Sequence, residues 1–134
     1  MEIYRIEHKF MCTGPYNQRV RKRGFIDFQQ KLMDTHNTMD KAGWGDDGIY
    51  DEIRRRNDNL ENPFVDANEY ISGFFSIRQV YDWFDGFIDD LHKYGYILAV
   101  YDIPDLYVIV GNHRKQVAFK NNGYNSLYKL SLKI

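Results

Sequence analysis

The stretch from Ser76 to Phe119, SIRQVYDWFDGFIDDLHKYGYILAVYDIPDLYVIVGNHRKQVAF, decides the fold class. Ser76 followed by Gln79 forms a capping box, in which each side chain can satisfy a free backbone N–H at a helix start. Ile77, Val80, Tyr81, Phe84, Phe87, Ile88 and Leu91 recur at steps of three and four, and Asp82, Asp85, Asp89 and Asp90 lie opposite them. This pattern predicts one amphipathic helix over 76–94, closed by Gly95 in a left-handed turn. Tyr96 to Tyr101 is short and rich in aromatic and branched residues, so it reads as a buried strand. Asp102-Ile103-Pro104-Asp105 ends it. Leu106–Val110 and Lys115–Lys120 then form a hairpin around Gly111-Asn112-His113-Arg114. The sequence therefore predicts an α+β domain in which one main helix covers an antiparallel or mixed sheet and the chain ends in a hairpin.

Outward from this stretch, Glu69–Phe75 reads as a strand and Glu2–His8 as a half-buried one. Strict alternation places Tyr4 and Ile6 toward the core, with Arg5 and Glu7 sharing the other face. Phe25, Phe28 and Leu32 predict a short helix after Gly24. Between Asp34 and Asn62 the chain is loop-rich, with one short helix expected at Ile49–Arg56. The 134 residues are expected to make a single domain with this region as an insertion.

Composition narrows the function classes. The single Cys12 cannot form an internal disulfide and fits a reducing compartment. No apolar run is long enough to span a bilayer, so no membrane partner is expected and the location read from the sequence is cytoplasmic. A net charge of −1 argues against a general nucleic-acid binder. His8, His36, His92 and His113 have no metal-ligand spacing, and Asp46, Asp47, Asp51 and Glu52 depart from a calcium loop. Neither metal nor cofactor is expected. Cys12 has no base oriented by a third group, so no nucleophilic centre is indicated.

Two arginine-rich groups stand out. Arg19, Arg21 and Arg23, with Lys22, form one; Arg54, Arg55 and Arg56 form the other. Guanidinium groups match phosphates bidentately, so these arginines would make an anion pocket if the fold brought them together. Tyr16, beside the Gly14-Pro15 turn, adds an aromatic surface. Eleven Tyr and two Trp suit either base stacking or a protein interface, and the aromatic content with an incompletely protected hairpin edge suggests a homo-oligomer.

Tyr4-Arg5-Ile6-Glu7-His8 with Gly14-Pro15-Tyr16, Gly73-Phe74 with Val80-Tyr81-Asp82-Trp83-Phe84, and Val100 to Pro104 with Gln116-Val117-Ala118-Phe119 resemble a family of small proteins of tailed bacteriophages and prophages. The resemblance covers both ends of the chain. It implies a phage accessory protein acting in the bacterial host cytoplasm, where such proteins often counter host immunity. The Tyr4-Arg5-Ile6 strand is also similar to the first strand of ADP-ribosyltransferase-like folds, which implies that Arg5 contacts a nucleotide. Gln116 falls where that fold carries a catalytic glutamate, and an amide can bond a ribose without supplying the charge that catalysis needs.

Three readings follow. The favoured one is non-catalytic sequestration of an anionic, nucleotide-derived immune signal through Arg5, Tyr16, Arg19, Arg21, Arg23, Arg54, Arg55, Arg56 and Gln116. The second is a protein–protein inhibitor that docks on a host defence protein through the acidic helix face or the 34–62 region. The third is a small enzyme acting on NAD.

Overall fold

The computed structural model describes residues 1–16, 20–36, 46–56, 70–120 and 125–132. In chain order these form β1 (Glu2–His8), α1 (Phe25–Thr35), α2 (Ile49–Arg56), β2 (Tyr70–Gly73), α3 (Ile77–Trp83), α4 (Ile88–Lys93), β3 (Tyr96–Asp102), a 3₁₀ turn (Asp105–Tyr107), β4 (Val108–Val110), β5 (Val117–Lys120) and β6 (Tyr128–Leu130). Two antiparallel sheets result, one ordered β1-β3-β6 and the other β2-β5-β4. The α+β class, the short helix at Ile49–Arg56 and the β4–β5 hairpin are as the sequence predicts.

The predicted helix over 76–94 is two helices. The capping box forms: the Gln79 N–H donates to Ser76 Oγ at 3.2 Å, and Gln79 Oε1 accepts from the Phe75 N–H at 2.8 Å. The helix then stops, because Gly86 adopts φ +85°, a conformation that lies outside the right-handed helix and that only glycine takes at little cost. The apolar stripe survives the break: Val80, Phe84 and Leu91 are buried from both pieces. Gly95 closes the second helix at φ +89°, as expected.

The molecule is layered. Phe25, Phe28 and Leu32 of α1 join Val80, Phe84 and Leu91 in packing on Ile6, Tyr96 and Leu98 of the first sheet. Opposite that face, Ile3, Ala99, Tyr101 and Ile103 meet Val108, Val117 and Phe119 of the second sheet. The outer face of the second sheet carries α2, whose Ile49 and Ile53 pack on Tyr70, Ile109 and Ala118. The order is helices, sheet, sheet, helix.

This arrangement corrects the reading of the first strand. Ile3 and Ile6 are both buried because β1 is covered on both sides, so its two faces each meet a core. Strict alternation holds, but it separates two interiors rather than an interior from solvent. The β1 edge also joins the sheets through paired backbone bonds between Tyr4 and Phe74. Gly73 has no room for a side chain there: an added Cβ would lie 2.4 Å from Ile3 Cγ2.

Candidate functional site

Arg5 and Glu7 project from β1 between the sheets, opposite Ala99 and Ile97 of β3. Arg5 Nε donates to Glu7 Oε2 at 3.1 Å, and Arg5 Nη1 donates to the Ser72 carbonyl of the second sheet at 3.0 Å. The Tyr101 hydroxyl donates to the same Glu7 oxygen at 2.8 Å. Burial disfavours the charged guanidinium and lowers the Arg5 pKa, while Glu7 acts in the opposite direction. Tyr101 is pushed up, first by burial and then by its bond to Glu7. Arg5 thus ties the two sheets together and has a resident carboxylate as its counter-ion. The i, i+2 spacing of Arg5 and Glu7 was the signal for this pairing, since both must share a strand face.

Tyr16 belongs to a different assembly. The Trp83 indole N–H donates to the Tyr16 hydroxyl at 2.9 Å, and that hydroxyl meets His36 Nδ1. His36 Nε2 meets the Trp83 carbonyl at 2.8 Å. A carbonyl only accepts, so Nε2 carries the proton and Nδ1 accepts from Tyr16. The chain of bonds closes on Trp83, whose ring also stacks on His36 at 4.4 Å between centroids. Burial lowers the His36 pKa, with the bond to Trp83 partly opposing it. A second imidazole proton, on Nδ1, would face the Tyr16 hydroxyl and displace its donated bond. Nothing in the periodicity of α1 or α3 marks these three residues as partners.

The remaining arginines are dispersed. Arg19 lies outside the described residues. Arg21 and Arg23 are exposed ahead of α1, in the helix layer on the first sheet. Arg54, Arg55 and Arg56 are exposed on α2, beyond the second sheet. Both sheets therefore separate the two groups, and the convergence that an anion pocket needs is not formed by Arg21 and Arg23 with Arg54–Arg56. The α2 arginines also have local partners. Arg54 lies over the Tyr50 ring; Arg55 and Arg56 both bond Glu52. Arg56 further donates to the Leu106 and Val108 carbonyls at 2.9 and 3.2 Å. These bonds, Arg55 foremost, hold the Glu52 carboxyl down to about 2. Gln116 is buried at the entry to β5, where its carbonyl accepts from the Gly111 N–H at 3.1 Å.

Asp46 and Asp47 lie beside the hairpin turn. Asp46 accepts from the backbone N–H groups of His113 and Lys115 at 3.0 and 2.7 Å. Gly111 permits this approach, since an added Cβ would fall 2.2 Å from Asp46 Oδ2. The ligand-like acids before α2 thus anchor the hairpin to the helix. Among the described residues no group of three or more histidine, cysteine or acidic side chains is placed to hold a metal ion.

On the opposite side of the molecule, Asp82, Asp85, Asp89 and Asp90 are all exposed on α3, α4 and the turn between them. Among the described residues, Asp82 is the one of the four in an ion pair, with Arg78 Nε at 4.0 Å, and both side chains are well exposed. The four carboxylates stand on a helix pair whose inner face is fixed by the largest core cluster.

Fold and surface together define a small α+β protein with four exposed aspartates on α3, α4 and the turn between them. The chain belongs to the family described as Bacteriophage T4 Y00F protein, whose model matches residues 1–133. The bacteriophage resemblance of the sequence motifs is thereby shown, whereas the resemblance to ADP-ribosyltransferase-like folds finds no counterpart. No curated protein and no solved structure matches the chain. No helix among the described residues is long and apolar enough to cross a membrane.

Proposed function

We propose that this phage-family protein is a non-catalytic accessory protein that counters host defence by docking on a basic surface of a host protein. The observation that carries this reading is the exposed aspartate face of α3 and α4 on a rigidly packed support. A fixed array of carboxylates complements a surface built for phosphates, which steers encounter and fixes orientation. Sequestration of an anionic nucleotide is the competing reading, and it requires convergent free arginines. Arg5 already has Glu7 as its counter-ion, and the two exposed arginine groups sit in different layers. The layout therefore favours docking over capture of a nucleotide.

Affinity purification from phage-host extract, with wild-type protein and an Asp85→Lys/Asp89→Lys variant side by side, tests this proposal. A host protein retained by the wild type, lost with the variant and displaced by double-stranded DNA is the expected result. Calorimetry with ADP-ribose derivatives and cyclic nucleotides supplies the opposing outcome. Saturable heat with one of them, unchanged in the aspartate variant, would replace docking by nucleotide sequestration.

A further inference from the structure

The turn that follows β1 presents Phe10 at 80% exposure and Met11 at 46%, the former the most exposed large apolar side chain among the described residues. Its backbone is nevertheless firmly held. The His8 N–H donates to the Thr13 carbonyl at 2.8 Å, Cys12 to His8 at 2.9 Å and Lys9 to Gly95 at 3.0 Å. The Phe10 N–H donates to His8 Nδ1 at 3.3 Å. A rigid turn with bonded N–H groups that still points two apolar side chains outward is preorganised to insert them elsewhere.

Cations surround this tip. Lys9 Nζ lies 5.0 Å from the Phe10 ring centroid, and Lys129 Nζ lies 3.6 Å from Cys12 Sγ. Lys22 donates to the Lys93 carbonyl at 2.6 Å, two residues from the Gly95 carbonyl that holds Lys9. Lys9, Lys22 and Lys129 are exposed, and none forms an ion pair with a carboxylate among the described residues. In a chain with net charge −1, Lys9 and Lys129 make a local cationic collar beside the apolar point, with Lys22 on the neighbouring helix end.

We infer that the Phe10–Met11 tip and its lysine collar dock on an anionic lipid bilayer surface. Apolar side chains enter the boundary between headgroups and acyl chains, lysine ammonium groups stay at the anionic headgroups, and the bonded turn carries few bare N–H groups into that boundary. A second copy of the chain fits less well. Two like collars repel, and two exposed side chains fall far short of the roughly 800 Å² per partner of a stable protein interface. The expectation of no membrane partner rested on the lack of a spanning segment, which does not bear on a tip that only touches the interface. Lys9, Phe10, Met11 and Lys129 lie on other elements than the aspartates of α3 and α4, so different variants test the two proposals.

Vesicle co-sedimentation tests the inference, comparing phosphatidylcholine alone with phosphatidylcholine containing about 30 mol% phosphatidylglycerol. Wild-type protein is expected to partition onto the anionic vesicles at least about tenfold more strongly, with the advantage shrinking as salt rises. Phe10→Ser and Lys9→Glu/Lys129→Glu should each weaken that partitioning by about tenfold while circular dichroism remains that of the wild type. Phe10→Trp should show a blue-shifted emission on anionic vesicles only. Failure of the wild type to bind anionic vesicles at low salt would overturn the inference. So would binding that Phe10→Ser leaves unchanged, or an emission from the Phe10→Trp variant that anionic vesicles do not shift.

Discussion

The two faces of the β1–β3–β6 sheet are buried in different ways. Toward the helices, a cluster of aromatic and aliphatic side chains closes over Ile6, Tyr96 and Leu98. Toward the second sheet, apolar packing by Ile3, Tyr101 and Phe119 is joined by the buried Arg5–Glu7 pair and the Tyr101 hydroxyl. The first face depends on the shape of its apolar packing. The second depends on completeness, because a charge left there without its partner has no water to replace it.

Glu7→Ala is therefore expected to be the most damaging single change. It leaves a buried guanidinium uncompensated and removes the acceptor of Tyr101, so the loss should lie toward the upper end of the about 3–5 kcal/mol typical of a one-sided break. Urea titration with an unchanged slope measures it. Phe84→Ala on the opposite face should cost about 3 kcal/mol, as truncation of a buried aromatic leaves a cavity. A loss below about 1 kcal/mol would remove Phe84 from the core.

Gly86→Ala should cost about 1–2 kcal/mol, because alanine is strained at the positive φ that separates α3 from α4. A gain in stability would mean that a continuous helix over 76–94 is the better structure. The smallest effect belongs to the Trp83–Tyr16–His36 ring. His36 has a folded pKa below its ordinary 6.5, so its stabilising contribution is fully present above pH 6.5 and declines as pH falls toward the folded value. Burial disfavours the second imidazole proton in the native ring, whereas the unfolded chain takes it up in water. His8 is lowered by burial in the same direction, so both contribute to acid destabilisation. His36→Gln should remove part of that pH dependence; an unchanged profile would assign it to other groups.

What the sequence revealed follows the same division. The apolar stripe from Val80 to Leu91, the Ser76–Gln79 cap, the Gly95 stop and the β4–β5 hairpin were legible because each is encoded by neighbours a few residues apart. Gly86 escaped notice because the stripe continues through it, and periodicity alone does not report a change of φ. Ile3 and Ile6 misled because an alternating pattern cannot show whether its polar face meets water or a second sheet. Of the expected site residues, Arg5 was correctly placed on the face with Glu7, but the covering sheet that makes their pair internal comes from residues 70–120. Whether Arg21 and Arg23 meet Arg54–Arg56 is likewise set by layer order, which no local spacing contains. The Tyr16–His36–Trp83 ring joins residues 20 to 67 positions apart and had no sequence signal.

Arg5 is held by Glu7 as a buried structural pair rather than left free for an anionic ligand. A double-mutant cycle with Arg5→Met, Glu7→Leu and the combined variant, followed by urea titration, tests it most directly. Each single change should be strongly destabilising, whereas the combined variant should be more stable than either, with a coupling of about 2–3 kcal/mol. Additive losses, or an Arg5→Met variant as stable as the wild type, would contradict it.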